Sequence, residues 1–131
     1  MNSKIIFDDF EKALKNFEVA LSTPADSDLV RAGCIQYFEF CFELAWKSIK
    51  VFGSELGLEN CNSPKGCLKQ AFANGWIDNE LVWLEMLSAR NRMSHTYSAS
   101  DALTIYDSLT GFLPAMRNLF ESISAERNKL E

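Results

Sequence analysis

One stretch of the chain carries side chains that could do chemistry together: Arg90-Asn91-Arg92-Met93-Ser94-His95-Thr96-Tyr97. It contains the single histidine of the sequence. From Met86 to Tyr97 there is no carboxylate, in a chain of net charge −5, so the stretch is a local cationic island. On a helix, Asn91 and His95 lie four apart and share a face, while Arg90 and Ser94 share the neighbouring one. Tyr97 falls where such a helix would end. A guanidinium suits bidentate phosphate binding. An imidazole moves a proton near neutral pH, and a helix C-terminus favours its protonated form. Together these groups could hold a phosphodiester and assist its cleavage. The ordinary reading is that arginine and histidine near a helix end are commonplace, with Arg92 solvated and Tyr97 packing.

The elements that must position these residues are helices. Phe7, Phe10, Leu14, Phe17 and Leu21 step by three and four, one continuous apolar stripe that Thr23-Pro24 stops. Asp26 and Asp28 open a second helix, where acidic groups suit the dipole. Phe38, Phe42, Ala45, Ile49 and Phe52 form its stripe, and Tyr37, Phe40, Leu44 and Trp46 widen it, so this helix is expected to be central or part of a subunit contact. Gly53 and Gly57 end it. Ser63-Pro64 starts a short third helix with Leu68, Ala71 and Phe72 inward, closed by Asn74-Gly75. Asp78 can cap a fourth, with Leu81, Leu84, Leu87 and Asn91 on one face that turns polar at its end. Ser98 and Asp101 cap a fifth, whose stripe runs through Ala102, Ile105, Leu109, Phe112, Met116, Leu119 and Ile123. Pro114 should bend that helix, and the tail from about Ala125 should fray. The expected architecture is all-α: an up-and-down four-helix bundle with an additional short helix, in a single domain spanning residues 1–131.

Composition narrows the function. The chain has 131 residues, 47% hydrophobic and 24% charged, which is globular usage with no membrane-length apolar run. The stretch Met1–Asp9 is too acidic for a signal peptide, so a soluble cytoplasmic protein is expected. A pI near 4.9 excludes a non-specific nucleic-acid coat protein and leaves only a local basic contact. Cys34, Cys41, Cys61 and Cys67 include no C-x-x-C pair, and with one histidine no metal site and no cofactor are expected. The four cysteines read as reduced structural thiols. Glu39, Glu43 and Lys47 share a face of the second helix. An intrahelical Glu-to-Lys ladder is favoured there over a contact to the cationic stretch. Phosphate-loop, nucleophile-elbow and nucleotidyltransferase G-S-x-D-x-D motifs do not occur.

Arg90 to Tyr97 resembles the R-N-x-x-x-H signature of the HEPN superfamily in its R-x4-H-x-Y form. Phe38-Glu39-Phe40-Cys41-Phe42-Glu43-Leu44-Ala45-Trp46-Lys47 is similar to the second-helix signature of one branch, the nucleotidyltransferase substrate-binding protein family. Ser63-Pro64-Lys65, Ala71-Phe72, Gly75-Trp76-Ile77, Trp83-Leu84-Glu85-Met86-Leu87 and Phe112-Leu113-Pro114-Ala115-Met116 continue the likeness in order. It covers about Phe7 to Phe120. Gly66-Cys67 departs from it, standing where the family has better helix formers.

The resemblance implies a homodimeric bundle, a small nucleotidyltransferase as partner protein, and RNA or a nucleotide as ligand. It implies that Arg90 and His95 of two protomers meet as a metal-independent ribonuclease, with Asn91 orienting the histidine or substrate. Arg92 and Ser94 flank the site as substrate contacts. In toxin–antitoxin pairs of this type the partner can adenylylate the motif tyrosine, here Tyr97, which would place a phosphate beside Arg90 and His95 and silence them. The alternative is a non-catalytic subunit that binds nucleotide or substrate for a two-component nucleotidyltransferase.

Overall fold

The computed structural model of the chain describes residues 3–93 and 99–130. Among them are five helices and no strand: α1 Ser3–Ser22, α2 Asp28–Glu55, α3 Pro64–Ala73, α4 Glu80–Met93 and α5 Ala99–Asn128. The long helices form an up-and-down four-helix bundle, and α3 is the additional short one. No helix among the described residues is long and apolar enough to cross a membrane.

The aromatic stripes build the core. Phe7, Phe10, Leu14 and Phe17 of α1 are buried, as are Phe38, Phe42, Ala45, Ile49 and Phe52 of α2 and Ile105, Leu109, Phe112, Met116, Leu119 and Ile123 of α5. The wide apolar surface of α2 makes it the central helix, packed on α1, α3 and α5. Phe38 marks the centre, with its ring 6.1 Å from Phe17 and 5.4 Å from Phe112. Phe7 of α1 stacks on Phe120 of α5 at 4.5 Å.

Local chemistry sets the helix ends. Ser27 caps α2, accepting from the Val30 amide at 3.2 Å, with Asp28 in the first turn. The Ser63 hydroxyl accepts from the Gly66 amide at 3.0 Å, and Pro64 takes the first helical position of α3. Helix α2 runs through Gly53 rather than ending there. Gly53 is buried inside it, its carbonyl accepts from Leu56 and Leu58, and the stop falls at Gly57, whose φ of 78° is left-handed. Asn79, not Asp78, caps α4 by accepting from the Val82 amide at 3.2 Å, while Asp78 accepts from Asn118 of α5. Pro114 sits exposed within an unbroken α5, and this helix extends past Ala125 to Asn128. Ser98, the expected cap of α5, lies outside the described residues.

Three further expectations are corrected. The inward face of α4 is Trp83, Met86 and Ala89, whereas Leu81 is exposed and Leu84 and Leu87 are half-buried. The larger apolar area of Trp83, set 6.3 Å from Phe42, takes the core position and rotates the leucines outward. Leu68 and Ala71 of α3 face the core as expected, but Phe72 is exposed and Cys67 takes its place. The cysteines are not all free: Cys61 and Cys67 form a disulfide, while Cys34 and Cys41 remain buried thiols. The Ser63-Pro64 start folds the chain back over the first turn of α3, so the two α-carbons stand 5.1 Å apart, within disulfide reach.

Candidate functional site

Arg90 opens the polar end of α4. Ala89 is sealed in the core, and one residue later the chain turns a guanidinium toward α2. There Glu43 receives it. A single carboxylate oxygen, Oε1, accepts from Arg90 Nε at 2.7 Å and lies 2.6 Å from Nη2. The other oxygen, Oε2, accepts from the indole Nε1 of Trp46 at 2.8 Å. Arg90 Nη1 donates to Asn91 Oδ1 at 3.2 Å. The two charged side chains retain 33% and 25% of their exposure, so the pair sits at the edge of the core, within reach of solvent.

This cluster borders a cleft of about 420 Å³ lined by Glu39, Arg90, Asn91 and Met93. A second groove, of about 670 Å³, is lined by Lys65, Leu84, Leu87, Ser88, Asn91 and Arg92. Asn91 lines both, so it stands on the ridge between them. The outward leucines of α4 therefore form a groove wall rather than core. Beside Glu43, the exposed rings of Tyr37 and Phe40 meet edge to face at 6.4 Å. With Leu44 they line a third concavity of about 460 Å³, which Glu43 also borders.

The structure brings Arg90 and Asn91 together and places Arg92 one step round the helix, on the second groove. Ser94, His95, Thr96 and Tyr97 lie outside the described residues. The cationic island is not isolated in space, because α2 supplies Glu39 and Glu43 against it. Glu43 is thus a site residue that the spacing argument underrated. The ladder reading fails because Lys47 lies over the Trp46 ring, 5.8 Å from its centroid, while Glu43 turns across to α4. The signal that could have found it is Trp46 three residues on, a donor that fixes a carboxylate on the inward side of the helix.

Fold and site together define a class: a helical bundle that sets an arginine-led polar cluster, braced by a glutamate, at the end of its fourth helix. The chain belongs to the nucleotidyltransferase substrate binding protein-like family, whose model matches residues 6–125. It is 31% identical over 111 residues to a Haemophilus influenzae protein named probable ribonuclease HepT, covering 79% of this chain and 73% of that one. Its fold is similar to the crystal structure of a Thermus thermophilus protein, with a TM-score of 0.81, 27% identity, and coverage of 87% of this chain and 98% of that one. A Haemophilus influenzae structure, described as revealing the fold of a substrate-binding domain of a nucleotidyltransferase, aligns with a TM-score of 0.74 at 26% identity. That alignment covers 94% of this chain and 99% of the other.

Proposed function

We propose that the protein is a HEPN-type toxin of a toxin–antitoxin pair, acting in the cytoplasm as a metal-independent endoribonuclease whose cleft lies between two copies of the chain. The observation that carries this reading is Arg90, a guanidinium held half-exposed at the mouth of a cleft with Asn91 beside it. The 2′-hydroxyl of a ribose would attack the adjacent phosphorus while the 5′-oxygen leaves, giving a 2′,3′-cyclic phosphate and a free 5′-hydroxyl. Arg90 stabilises the charge on the phosphorane. His95 moves the proton, taking it from the 2′-hydroxyl or returning it to the leaving oxygen. Asn91 orients the reacting groups, and Arg92 and Ser94 contact the flanking backbone. Support for a homodimer comes from the exposed Tyr37 and Phe40, which continue from Glu43 as an apolar surface next to the site.

The partner in this reading is a small nucleotidyltransferase that attaches adenylate to Tyr97 and so blocks the cleft. Cleavage of single-stranded RNA by the purified protein tests the nuclease. Products should end in cyclic phosphate, and Arg90→Ala and His95→Ala should each abolish them. Equal cleavage by parent and both variants sinks the reading. Mass spectrometry after co-expression with the partner tests Tyr97, since an adenylate that survives Tyr97→Phe removes it as the acceptor.

A second reading has its own support in the relative described as a substrate-binding domain and in the two grooves that meet at Asn91. Here the same residues hold a nucleotide for the partner enzyme and break no bond. Calorimetry separates the two: nucleotide binding that requires Arg90, with no RNA cleavage, favours the binding subunit.

A further inference from the structure

We propose that Glu43 is the positioning residue of Arg90, fixing which edge of the guanidinium faces the cleft. The inference rests on the RNA-cleaving reading above and names a residue beyond the R-x4-H-x-Y motif. The contact joins two helices across 47 residues of sequence. One carboxylate oxygen holds the Nε–Nη2 edge, and the Trp46 indole holds the other oxygen, so the carboxylate cannot turn about its own axis without losing a bond. Guanidinium carries five N–H donors. Among the described residues, two point at Glu43 and one at Asn91, which leaves one on each terminal nitrogen for a phosphate.

The pairing has opposite effects on binding and on chemistry. A carboxylate on Arg90 cancels much of its charge and weakens ground-state attraction for an anion. The same carboxylate holds the guanidinium in one orientation, which matters when charge develops on the phosphorane. Removing it should therefore tighten binding and slow cleavage, a combination that loss of folded protein does not produce. Misfolding lowers apparent kcat and leaves KM where it was.

The test uses the full chain, unmodified single-stranded RNA for cleavage, and the same sequence in 2′-O-methyl form for binding by fluorescence anisotropy. Glu43→Ala should lower kcat about 100-fold, the scale of a misplaced catalytic group. It should also lower KM and the Kd for 2′-O-methyl RNA about threefold, the scale of a half-exposed charge pair. Glu43→Gln keeps an acceptor oxygen without the charge. It should bring kcat back to within about tenfold of the parent while keeping the tighter binding. In an Arg90→Ala background, Glu43→Gln should no longer tighten binding, because the glutamate acts through the arginine. Tightening that persists without Arg90 overturns the proposal, as does a Glu43 variant with raised KM and parental kcat. Cleavage indifferent to Arg90→Ala overturns the nuclease reading instead. The anisotropy arm then still decides on Glu43, because that RNA cannot be cleaved.

Discussion

Arg90→Lys keeps a positive charge and removes the fork. In the parent, Arg90 bonds Glu43 through Nε and Nη2 and Asn91 through Nη1. A lysine ammonium is one compact centre: if it stays on Glu43 it cannot also face the cleft with a defined geometry. Because the pair is 33% and 25% exposed, its loss should cost at most about 1 kcal/mol. In a chain of 131 residues that corresponds to a Tm lower by about 4 °C, so the variant stays folded. Catalysis should suffer far more. Losing one oriented donor to the developing oxyanion should slow cleavage about 100-fold or more, equivalent to about 2.7 kcal/mol of transition-state stabilisation. The salt dependence of RNA binding should keep its slope, since the number of cations is unchanged. Single-turnover cleavage at saturating protein, with a thermal melt and a salt titration alongside, measures all three. If Arg90→Lys cleaves within about threefold of the parent, a point charge suffices and the fork geometry of Arg90 contributes nothing to catalysis.

The remaining predictions concern the frame. Burial pushes the Cys41 thiol up to about 12 and raises that of Cys34 as well. Iodoacetamide at pH 8 should therefore leave both unmodified in native protein and label both in urea, read by mass; rapid native labelling of Cys41 contradicts a closed core. Reducing the Cys61–Cys67 bridge, which closes a loop of sequence separation 6, should cost about 2 kcal/mol and lower Tm by about 8 °C, and an unchanged melt with reductant counts against the bridge. Burial alone would raise the Glu55 carboxyl. The hydrogen bond from the Ser3 amide at 2.7 Å and the charge of Arg127 outweigh it and hold the group below its usual value. Its stabilising effect is then complete above the ordinary glutamate range and lost as the pH falls through the depressed value. The Tm advantage of the parent over Glu55→Gln should accordingly shrink on acidification, and an advantage that grows in acid has the wrong sign.

Periodicity read the long helices well because their stripes are aromatic and uninterrupted. Every α5 position from Ile105 to Ile123 in the predicted stripe is buried. It failed on α4, where Leu81, Leu84, Leu87 and Trp83, Met86, Ala89 offer two apolar faces of similar spacing. Only the neighbour across the gap, Phe42, decides between them. The disulfide was illegible for a related reason, since spacing along a loop says little about distance through space until the turn at Ser63-Pro64 is known. At the site, Arg90 and Asn91 were legible as residue types in a cationic stretch. Glu43 was legible only as the less favoured of two options, because its partner lies on another helix and a lysine four residues on supplies a simpler local explanation.

The bonding of Trp46 has a practical consequence. Of the three indoles in the chain, Trp76 and Trp83 are sealed at 3% and 1% exposure, while Trp46 is half-buried and hydrogen-bonded to the carboxylate that holds Arg90. Its fluorescence should lie to the red of the other two and be the first that iodide or acrylamide quenches. An occupant of the cleft that disturbs the glutamate would alter that emission directly, so the molecule carries an unlabelled optical gauge beside its own arginine.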